Sequence, residues 1–425
     1  MSLNRRSFLS LTAVAVSLSA AAACSGGSSD STGSDSASAA GSGDALVRDP
    51  DADLVIWADE KKANSLREAA TKWGEAQGIS VAVQVVANET QSTFVTANQA
   101  GNGPDVVLGA HDWIGNLVQN SSISPVQLTE AAKSNIAEVA LNAVTYDGQT
   151  YAVPYAVETL ALFVNKGLTS VTAPTTIEEL VAAGQAAGTE AVLSLPVDES
   201  GDAYHMQPLY TSGGGYLFGK NADGSLNPKD LGVGAEGSLA AAAKIGELGS
   251  QGVLKTSIST DNAADLFTTK KTPYLVSGPW SLSSIKEAGI DYAIAKIPGF
   301  EGMSEAVPFA GVNVFYVAQN GSNRSIAESF IADVAKDSTV AEAMFAKNEL
   351  PPAQKDLAEK LRSSNPDMVT FFDIANNATP MPSIPKMAEI WQPLGQAEAN
   401  IINGKNDPES AMEDAGASIK SALAI

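Results

Sequence analysis

Residues 103–113 read Gly-Pro-Asp-Val-Val-Leu-Gly-Ala-His-Asp-Trp, and their apolar half behind a Gly-Pro turn predicts a short buried strand. Ligands of open α/β sheets bind beyond the carboxyl ends of strands, so this strand would deliver Asp112 and Trp113 to a cleft. The carboxylate of Asp112 can accept hydrogen bonds from paired hydroxyls, and the indole of Trp113 offers a flat apolar face. The stretch alone fits equally well an acid that caps a helix and an indole packed beneath it.

The segments before this strand alternate between strand and helix. In chain order they are a strand at 54–57, a helix at 61–77, a β-branched strand at 79–86 and a helix at 91–100. This order predicts a parallel sheet with right-handed crossovers. The carboxyl ends of its three strands would share one edge, and that edge would carry the polar residues of 59–61, 88–91 and 109–113.

The run 151–164 is too long for an ordinary buried strand and contains Pro154 and Glu158. We predict that the chain crosses here between two lobes, with Glu158 facing the gap. The later predictions are a helix to about 187 with capping boxes at Thr175 and Thr176, strands at 191–195, 274–276 and 292–297, a helix at 263–270, a second crossing at 312–317, and a long helix at 325–348.

The predicted fold is therefore α/β with two lobes, each a mainly parallel sheet flanked by helices and joined by crossing strands. A chain of 425 residues with 44% apolar residues is long enough for two such cores. We assign 51–158 with 313–362 to the N-terminal lobe and 159–312 with 363–425 to the C-terminal lobe. The net charge of −22 argues against binding to nucleic acid or an anionic membrane through a basic face.

The first residues are typical of an export signal. Arg5 and Arg6 precede an apolar run that is too short to span a membrane and ends before Cys24, the only cysteine. The double arginine resembles a twin-arginine signal, although a general export signal fits nearly as well. We predict a signal peptide at 1–23, a lipid anchor at Cys24, and a Ser/Gly-rich tether to residue 50. About 20 residues of such a tether span roughly 25 Å, which places the folded part at the outer face of the cell membrane.

Motifs for cofactor, metal and nucleophilic chemistry lack their required context. The glycine pattern at 232–237 follows a turn and not a strand, so it does not predict a dinucleotide site. His111 and His205 are the only histidines and have no metal-ligand spacing. No G-x-S-x-G elbow is present. We therefore expect no cofactor, no metal and no catalytic residue.

A set of aromatic and acidic residues at the ends of predicted elements has the composition of a sugar site. Sugar rings stack their C–H faces on aromatic rings, and their hydroxyls pair with carboxylates, amides, Arg or Lys. Each ring taken singly is better explained as packing. The set is Trp113, Tyr155, Tyr204, Trp280 and Trp391, with Glu60, Asp112, Glu158 and Asp202.

From about residue 54 to the C-terminus, the chain resembles the bacterial extracellular solute-binding proteins of sugar ABC transporters, most closely the maltose/maltodextrin-binding proteins. The blocks that carry the resemblance stand in the family's order: LVIWADEKKANSL, GNGPDVVLGAHDWIG, YAVPYAVETLALFVNK, GGGYLF, VSGPWSLSSI, PFAGVNVF and MPSIPKMAEIW.

The resemblance implies a periplasmic-binding-protein-like fold whose two lobes close over sugar. It also implies site roles by motif: an acid and a lysine after the first strand, acids at the HD pair and the first crossing, an acid in place of a family glutamate, three stacking aromatics, and a nearby methionine. These are Glu60, Lys61, Asp112, Glu158, Asp202, Tyr204, Trp280, Trp391 and Met381. The best-known relative has a stacking Trp where Gly109 stands and an Arg where Trp113 stands, so we expect Trp113 to bind ligand as well.

The resulting expectation is a monomeric, lipid-anchored receptor that captures maltose or maltodextrin by hinge closure and delivers it to the permease of an ABC importer. The nearer alternative is a receptor for another di- or oligosaccharide. A surface-anchored glycoside hydrolase is less well supported, because the sequence does not identify the pair of carboxylates that such an enzyme needs. A purely structural lipoprotein would leave the convergence of acids and aromatics unexplained.

Overall fold

The computed structural model describes residues 47–221 and 226–425, so the predicted signal peptide, Cys24 and most of the tether lie outside the described part. The strands are β1 (Leu54–Ala58), β2 (Val81–Val85), β3 (Val106–Ala110), β4 (Ile123–Ser124), β5 (Thr145–Tyr146), β6 (Gln149–Thr150), β7 (Val153–Thr159), β8 (Ala161–Asn165), β9 (Phe218–Lys220), β10 (Leu226–Leu231), β11 (Tyr274–Ser277), β12 (Tyr292–Ala295), β13 (Phe309–Ala318) and β14 (Thr379–Pro380).

The helices contribute the layers that cover these sheets. They are α1 (Glu60–Gln77), α2 (Thr90–Gln99), α3 (Ile114–Gln119), α4 (Glu130–Asn135), α5 (Glu138–Ala143), α6 (Ile177–Ala186), α7 (Ala203–Ser212), α8 (Glu236–Ser250), α9 (Ala263–Thr268), α10 (Leu282–Glu287), α11 (Arg324–Lys336), α12 (Thr339–Asn348), α13 (Lys355–Leu361), α14 (Pro366–Ala375), α15 (Ala388–Ile402) and α16 (Pro408–Leu423).

Three parallel strands form the part of the larger sheet that carries the 103–113 stretch. β1 lies between β2 and β3, with Ile56 opposite both Val83 and Val106. All five residues of β1 are buried, as expected for a parallel strand covered on both faces. The carboxyl ends of these strands share one edge, as predicted.

The first crossing divides a continuous apolar run between two sheets. β7 pairs with β13 in the seven-stranded sheet, whereas β8 is the central strand of a three-stranded sheet between β11 and β12. Leu160 alone separates β7 from β8. Both pairings of β8 are antiparallel, so the prediction of a mainly parallel sheet in each lobe is wrong for this three-stranded sheet. The two-lobed α/β class is confirmed, while the exact lobe boundaries stay a prediction.

β13 completes the larger sheet and brings the predicted second crossing against the first. It runs antiparallel to β3 on one side and to β7 on the other. Its Gly311 lies opposite Glu158, which places the middle of both crossing segments at the same level. The beginning of β13 also pairs with β14, which leads into the Met381 segment.

Two predicted elements are wrong in detail. The segment 191–195 is not a strand: only Ser194 bridges to Leu275, Pro196 has no N–H to lengthen the ladder, and Val197 donates to the carbonyl of Ile258. The predicted helix 325–348 is two helices, α11 and α12. Asp337 between them is extended and its side chain accepts from the N–H of Thr339, which starts a new helix.

The core comprises three clusters of buried apolar side chains. One packs around β1, β3 and α11, a second fills the space between α7, α8, α15 and α16, and a third lies on the other face of β1 and β13. In the described ranges, no helix combines the length and apolar character needed to cross a membrane.

Candidate functional site

Two cavities open at the carboxyl end of β3 and beside the crossing strands. The larger has a volume of about 400 Å³ and is lined by residues from three strands of the seven-stranded sheet, from α7, from the 3₁₀ turn 279–281 and from two loops: Ala110, Glu158, Tyr204, His205, Thr260, Trp280, Gly311, Val312, Asn313 and Met381. The smaller has a volume of about 230 Å³ and is lined by Gln91, Ser92, Asp112, Trp113, Asn116, Ile384, Pro385, Met387, Ala388 and Trp391.

These cavities divide most of the predicted site residues into two groups. Glu158, Tyr204, Trp280 and Met381 line the larger cavity. Asp112, Trp113 and Trp391 line the smaller one. Each cavity therefore combines a carboxylate with at least one indole, which is the pairing that the sequence predicted for a single cleft.

Glu158 is held at the larger cavity by a contact between the two crossing strands. Its Oε1 accepts a hydrogen bond of 2.9 Å from Nδ2 of Asn313. Burial raises the pKa of the Glu158 carboxyl, while the Asn313 bond and the charges of Lys62 and Lys61 act in the opposite direction. The result is a half-buried acceptor of hydrogen bonds that faces the cavity.

Asp112 is a carboxylate with unused hydrogen-bonding capacity. It stands in the 3₁₀ turn His111–Trp113 that follows β3, and its Oδ1 is buried with no partner among the described residues. Burial raises the pKa of Asp112 from 3.8 to about 6. A buried carboxylate oxygen without a donor is costly, so this oxygen is suited to accept a hydrogen bond from a ligand hydroxyl.

The side chain of His111, the neighbour of Asp112, connects β13 and the Met381 segment to the end of β3. Its Nδ1 accepts from the N–H of Val312 at 3.1 Å, and its Nε2 lies 3.1 Å from the carbonyl oxygen of Met381. Because Nδ1 accepts a hydrogen bond and Nε2 must donate one to the carbonyl, the imidazole ring is neutral and carries its proton on Nε2. Burial lowers the pKa of His111 to about 4. His111 thus joins three segments of the site and is buried away from the cavity.

Asp202 does not line either cavity, and both of its carboxylate oxygens are already engaged. It caps α7 by accepting from the N–H of His205 at 3.0 Å, and its other oxygen lies 2.7 Å from Nδ1 of the same residue. His205 lines the larger cavity in its place. The Asp-x-x-His spacing at a helix start is the signal that would have identified this pair from the sequence.

The buried ring of Phe309 connects an aromatic side chain of the larger cavity, Tyr204, with one of the smaller cavity, Trp391. The rings of Tyr204 and Phe309 stack with centroids 6.0 Å apart, and Phe309 meets Trp391 edge to face at 5.6 Å. The side chain of Trp280 is 43% exposed in the larger cavity. Tyr155, which the sequence grouped with these rings, instead packs on Phe315 in the core.

Glu60 and Lys61 line neither cavity, since both are exposed at the start of α1. Their neighbour Asp59 caps this helix and pairs with Lys62. Lys61 and Lys62 both lie close enough to Glu158 to lower its pKa. The sequence therefore placed these charged residues correctly after the carboxyl end of β1. The half-buried lysine at this strand end, however, is Lys62 and not Lys61.

Two other residues of the site escaped the sequence analysis. Asn313 could have been found as the one amide in the apolar run 309–318, and His205 by its spacing from Asp202. Across the described ranges, no group of three or more His, Cys, Asp or Glu residues is arranged to hold a metal ion.

A third cavity, of about 610 Å³, lies on the outside of the larger sheet between α1, α11 and α12. It is larger than the two described above, but it is lined by outward faces of helices, and Nε1 of its Trp73 is already bonded to Asp333. None of its lining residues lies at the carboxyl end of a strand, so this cavity is not the candidate site.

Comparison with known proteins gives consistent matches over most of the chain. The family model described as bacterial extracellular solute-binding protein matches residues 68–370. A galactooligosaccharide-binding protein of Bacillus subtilis (strain 168) is 29% identical over 385 residues, which cover 87% of this chain and 89% of that protein. A maltooligosaccharide ABC transporter solute-binding lipoprotein of Streptococcus pneumoniae strain R6 is 25% identical with the same coverage.

A solved structure shares the fold. The crystal structure of a cyclo/maltodextrin-binding protein complexed with maltotetraose superposes with a TM-score of 0.77 at 27% sequence identity. The superposition covers 88% of this chain and 98% of that one.

Proposed function

The chain belongs to the bacterial extracellular solute-binding protein family, and on this premise we propose that it is the sugar receptor of an ABC importer, with maltodextrin-type α-glucosides as its ligands. The observation that carries the proposal is the buried, unpartnered Oδ1 of Asp112 in a cavity whose walls include Trp113 and Trp391. An acceptor that lacks a donor beside two indoles matches a sugar, which offers a hydroxyl edge and an apolar C–H face.

The larger cavity supports the same ligand class. Glu158 provides a second acceptor, and Tyr204 and Trp280 provide aromatic surface. Together the two cavities have space for more than one sugar ring, because ligand pockets of a few hundred Å³ hold drug-sized molecules. An oligosaccharide with its rings divided between the cavities would use both carboxylates. The ligand-site residues of the proposal are Asp112, Trp113, Glu158, Tyr204, Trp280, Met381 and Trp391, together with the exposed Glu60 and Lys61 at the start of α1 and with Asp202 acting through His205.

Capture would proceed by closure of the two lobes about the crossing segments. The contact between Glu158 and Asn313 joins these segments at the cavity, so a ligand bound to Glu158 contacts the elements about which the lobes would rotate. The closed complex would then dock on the permease subunits. The proposal includes no cleavage of the sugar.

Galactooligosaccharides are the second candidate ligand. The protein of Bacillus subtilis whose name includes them is 29% identical to this chain, compared with 25% for the maltooligosaccharide protein of Streptococcus pneumoniae. Both sugar classes present hydroxyl edges and apolar faces, so they would use the same carboxylates and rings.

We also propose that the mature protein is a monomer anchored through lipid on Cys24 at the outer face of the cell membrane. The name of the relative in Streptococcus pneumoniae includes the word lipoprotein, which supports the anchor. Mass spectrometry of the native N-terminus tests it. A mature protein that begins downstream of Cys24, or an unmodified Cys24, would contradict the anchor without affecting the sugar proposal.

Titration calorimetry tests the ligand, with maltose, maltotriose, maltotetraose, trehalose and a galactooligosaccharide as probes. We expect the largest affinity for a maltodextrin. Heat with the galactooligosaccharide alone would favour the second candidate, and no heat with any probe would contradict the receptor proposal. Release of shorter sugars from maltoheptaose during long incubation would instead indicate a glycoside hydrolase.

A variant series links the binding to the site. Trp280→Ala should lower the affinity by about twofold to tenfold, because it removes an aromatic face worth roughly 0.5–1.5 kcal/mol. Tyr216→Ala, which removes an exposed aromatic side chain outside both cavities, is the matched control. Gly311→Val should block the larger cavity, because a Cβ at Gly311 has only atoms of Glu158 near it, at 3.9 Å or more. Equal affinities of all three variants would show that the ligand binds elsewhere.

A further inference from the structure

Two tryptophans that line the cavities follow the same local architecture in different sheets. Trp113 ends a 3₁₀ turn that follows β3 and continues directly into α3. Trp280 is in the middle of a 3₁₀ turn that follows β11 and continues directly into α10. A glycine stands close to the end of each strand: Gly109 is the last residue but one of β3, and Gly278 directly follows β11.

Each glycine lies directly under the indole that follows it. A Cβ atom added to Gly109 would overlap the six-membered ring of Trp113 and come within 3.0 Å of its Cη2. A Cβ atom added to Gly278 would overlap the same ring of Trp280 and come within 2.5 Å of its Cε3. Real Cβ atoms do not approach other atoms so closely, so each indole occupies the space that any other residue's side chain would fill.

The lack of space for a side chain, and not the backbone conformation, therefore explains why glycine occupies these two positions. Neither of them has a positive φ, and Gly278 has φ −101° and ψ −173°, a conformation open to every residue. In both cases the atoms that would be met first belong to the far end of a tryptophan side chain, which can shift more easily than backbone. At Gly115, by contrast, an added Cβ would meet the backbone of 383–385, which has no such freedom.

We propose that Gly109 and Gly278 are positioning residues for ligand binding, each of them holding one indole flat against the backbone at the wall of its cavity. The inference rests on the proposed sugar-receptor function. A larger residue at either position would push the ring into the cavity, where the ring would occupy ligand space and present an edge in place of a face. Gly109 matters more for the choice of sugar, because its indole lines the same small cavity as the unpartnered Oδ1 of Asp112.

A double-mutant cycle tests whether Gly109 acts through Trp113. The four proteins are wild type, Gly109→Ala, Trp113→Ala and the double variant, each titrated with maltotetraose and with a galactooligosaccharide. We expect Gly109→Ala to weaken binding at least about fivefold in the wild-type background and less than about twofold in the Trp113→Ala background, where no ring remains to be displaced. The same cycle applies to Gly278 and Trp280.

The matched control is Gly246→Ala in α8, a glycine-to-alanine change whose nearest side-chain atoms belong to Pro408 and Ile401, outside both cavities. It should leave the affinity unchanged. If Gly109→Ala weakens binding equally with and without Trp113, the glycine acts on the backbone and the proposal is wrong. If Gly109→Ala alone fails to fold, refolding on removal of Trp113 supports the contact, and failure of both variants contradicts it.

A spectroscopic readout separates this proposal from the proposed function. The chain has five tryptophans, so 5-fluorotryptophan labelling gives five ¹⁹F resonances that Trp→Phe variants assign. We expect Gly109→Ala to shift the Trp113 resonance and leave that of Trp280 in place, with the reverse for Gly278→Ala. This result would support the seating of the indoles even if no sugar bound. Unshifted resonances would contradict it even in a protein that binds maltotetraose.

Discussion

Nδ2 of Asn313 donates a hydrogen bond of 2.9 Å to Oε1 of Glu158 across the antiparallel pair of β13 and β7. Through this contact, an amide on one crossing segment holds a carboxylate of the other crossing segment in place. Since both residues line the larger cavity, a ligand that bonds to Glu158 acts directly on the contact between the segments. Binding and closure would therefore be coupled at this pair.

Replacing Glu158 by Gln should weaken sugar binding by about tenfold to a hundredfold, because hydrogen bonds to a charged acceptor contribute roughly 1.5–3 kcal/mol. The free energy of unfolding at neutral pH should not fall, since burial raises the pKa of Glu158 and a neutral amide removes that penalty. Calorimetry and denaturant unfolding measure the two quantities. Glu130→Gln, at an exposed position in α4, is the control, and equal affinities of the two variants would exclude Glu158 from the site.

The arrangement of strands was predictable because it depends on local patterns. The apolar runs of β1, β2 and β3 alternate with helices in a way that permits a parallel sheet, and residues 109–113 were placed correctly at its edge. The division of 151–164 between two sheets followed from its length and its Pro154. The break in the predicted helix 325–348 was harder, since Asp337 ends it through a side-chain bond to Thr339 that hydrophobic spacing does not reveal.

The candidate site was predictable in its composition and less so in its contacts. The acids and rings at strand ends lie around the two cavities, but the partner of each acid depends on distant parts of the chain. Asn313 reaches Glu158 from 155 positions away. The packing of the Trp113 indole on Gly109 involves residues that are close in sequence. It nevertheless depends on the side-chain rotamer of Trp113 in the 3₁₀ turn, which sequence patterns do not specify.

Sugar affinity should decrease below about pH 6 because of Asp112. Burial raises the pKa of this carboxyl to about 6 in the ligand-free protein, and hydroxyl donors from a ligand would stabilise the ionised form and lower the pKa again. Binding at lower pH must then release a proton, which reduces the affinity by up to about tenfold per pH unit. Calorimetry at pH 7.5 and pH 5 measures this dependence.

Asp112→Asn is the test variant for that effect. It should bind more weakly than wild type at pH 7.5 and show a smaller decrease toward pH 5. Asp198→Asn, in a surface loop, serves as the control and should keep the full decrease. A wild-type affinity that is constant over this range would contradict the assignment of Asp112 as a ligand acceptor.

Two neighbouring residues should change acid stability in opposite directions. The folded pKa of His111 is lowered from 6.5 to about 4, so its neutral form stabilises the fold above pH 6.5 and this stabilisation is lost as the pH falls toward 4. The folded pKa of Asp112 is raised from 3.8 to about 6, so its protonated form stabilises the fold below pH 4 and this stabilisation is lost as the pH rises toward 6. Each effect amounts to roughly 3 kcal/mol.

Single variants should separate the two effects. Relative to wild type, Asp112→Asn should lose more free energy of unfolding between pH 6.5 and pH 4, and His111→Gln should lose less or gain. His205→Gln, at the other histidine, is the control for a general effect of removing an imidazole. Urea unfolding at several pH values provides the data, and parallel profiles for the two variants would contradict the assigned pKa shifts.

The last prediction decides whether Asp202 binds the ligand itself or acts through His205. Both oxygens of Asp202 are engaged by His205, and a neutral ring that donates from Nδ1 to Asp202 has an acceptor at Nε2. Asp202→Asn keeps the helix cap, but its amide would donate to Nδ1 and move the proton to Nε2. We expect weaker sugar binding from Asp202→Asn in the wild-type background and no further loss in a His205→Ala background. Asp407→Asn, at the N-cap of α16, is the matched control. A loss that persists without His205 would mean that Asp202 contacts the sugar directly, as the sequence had implied.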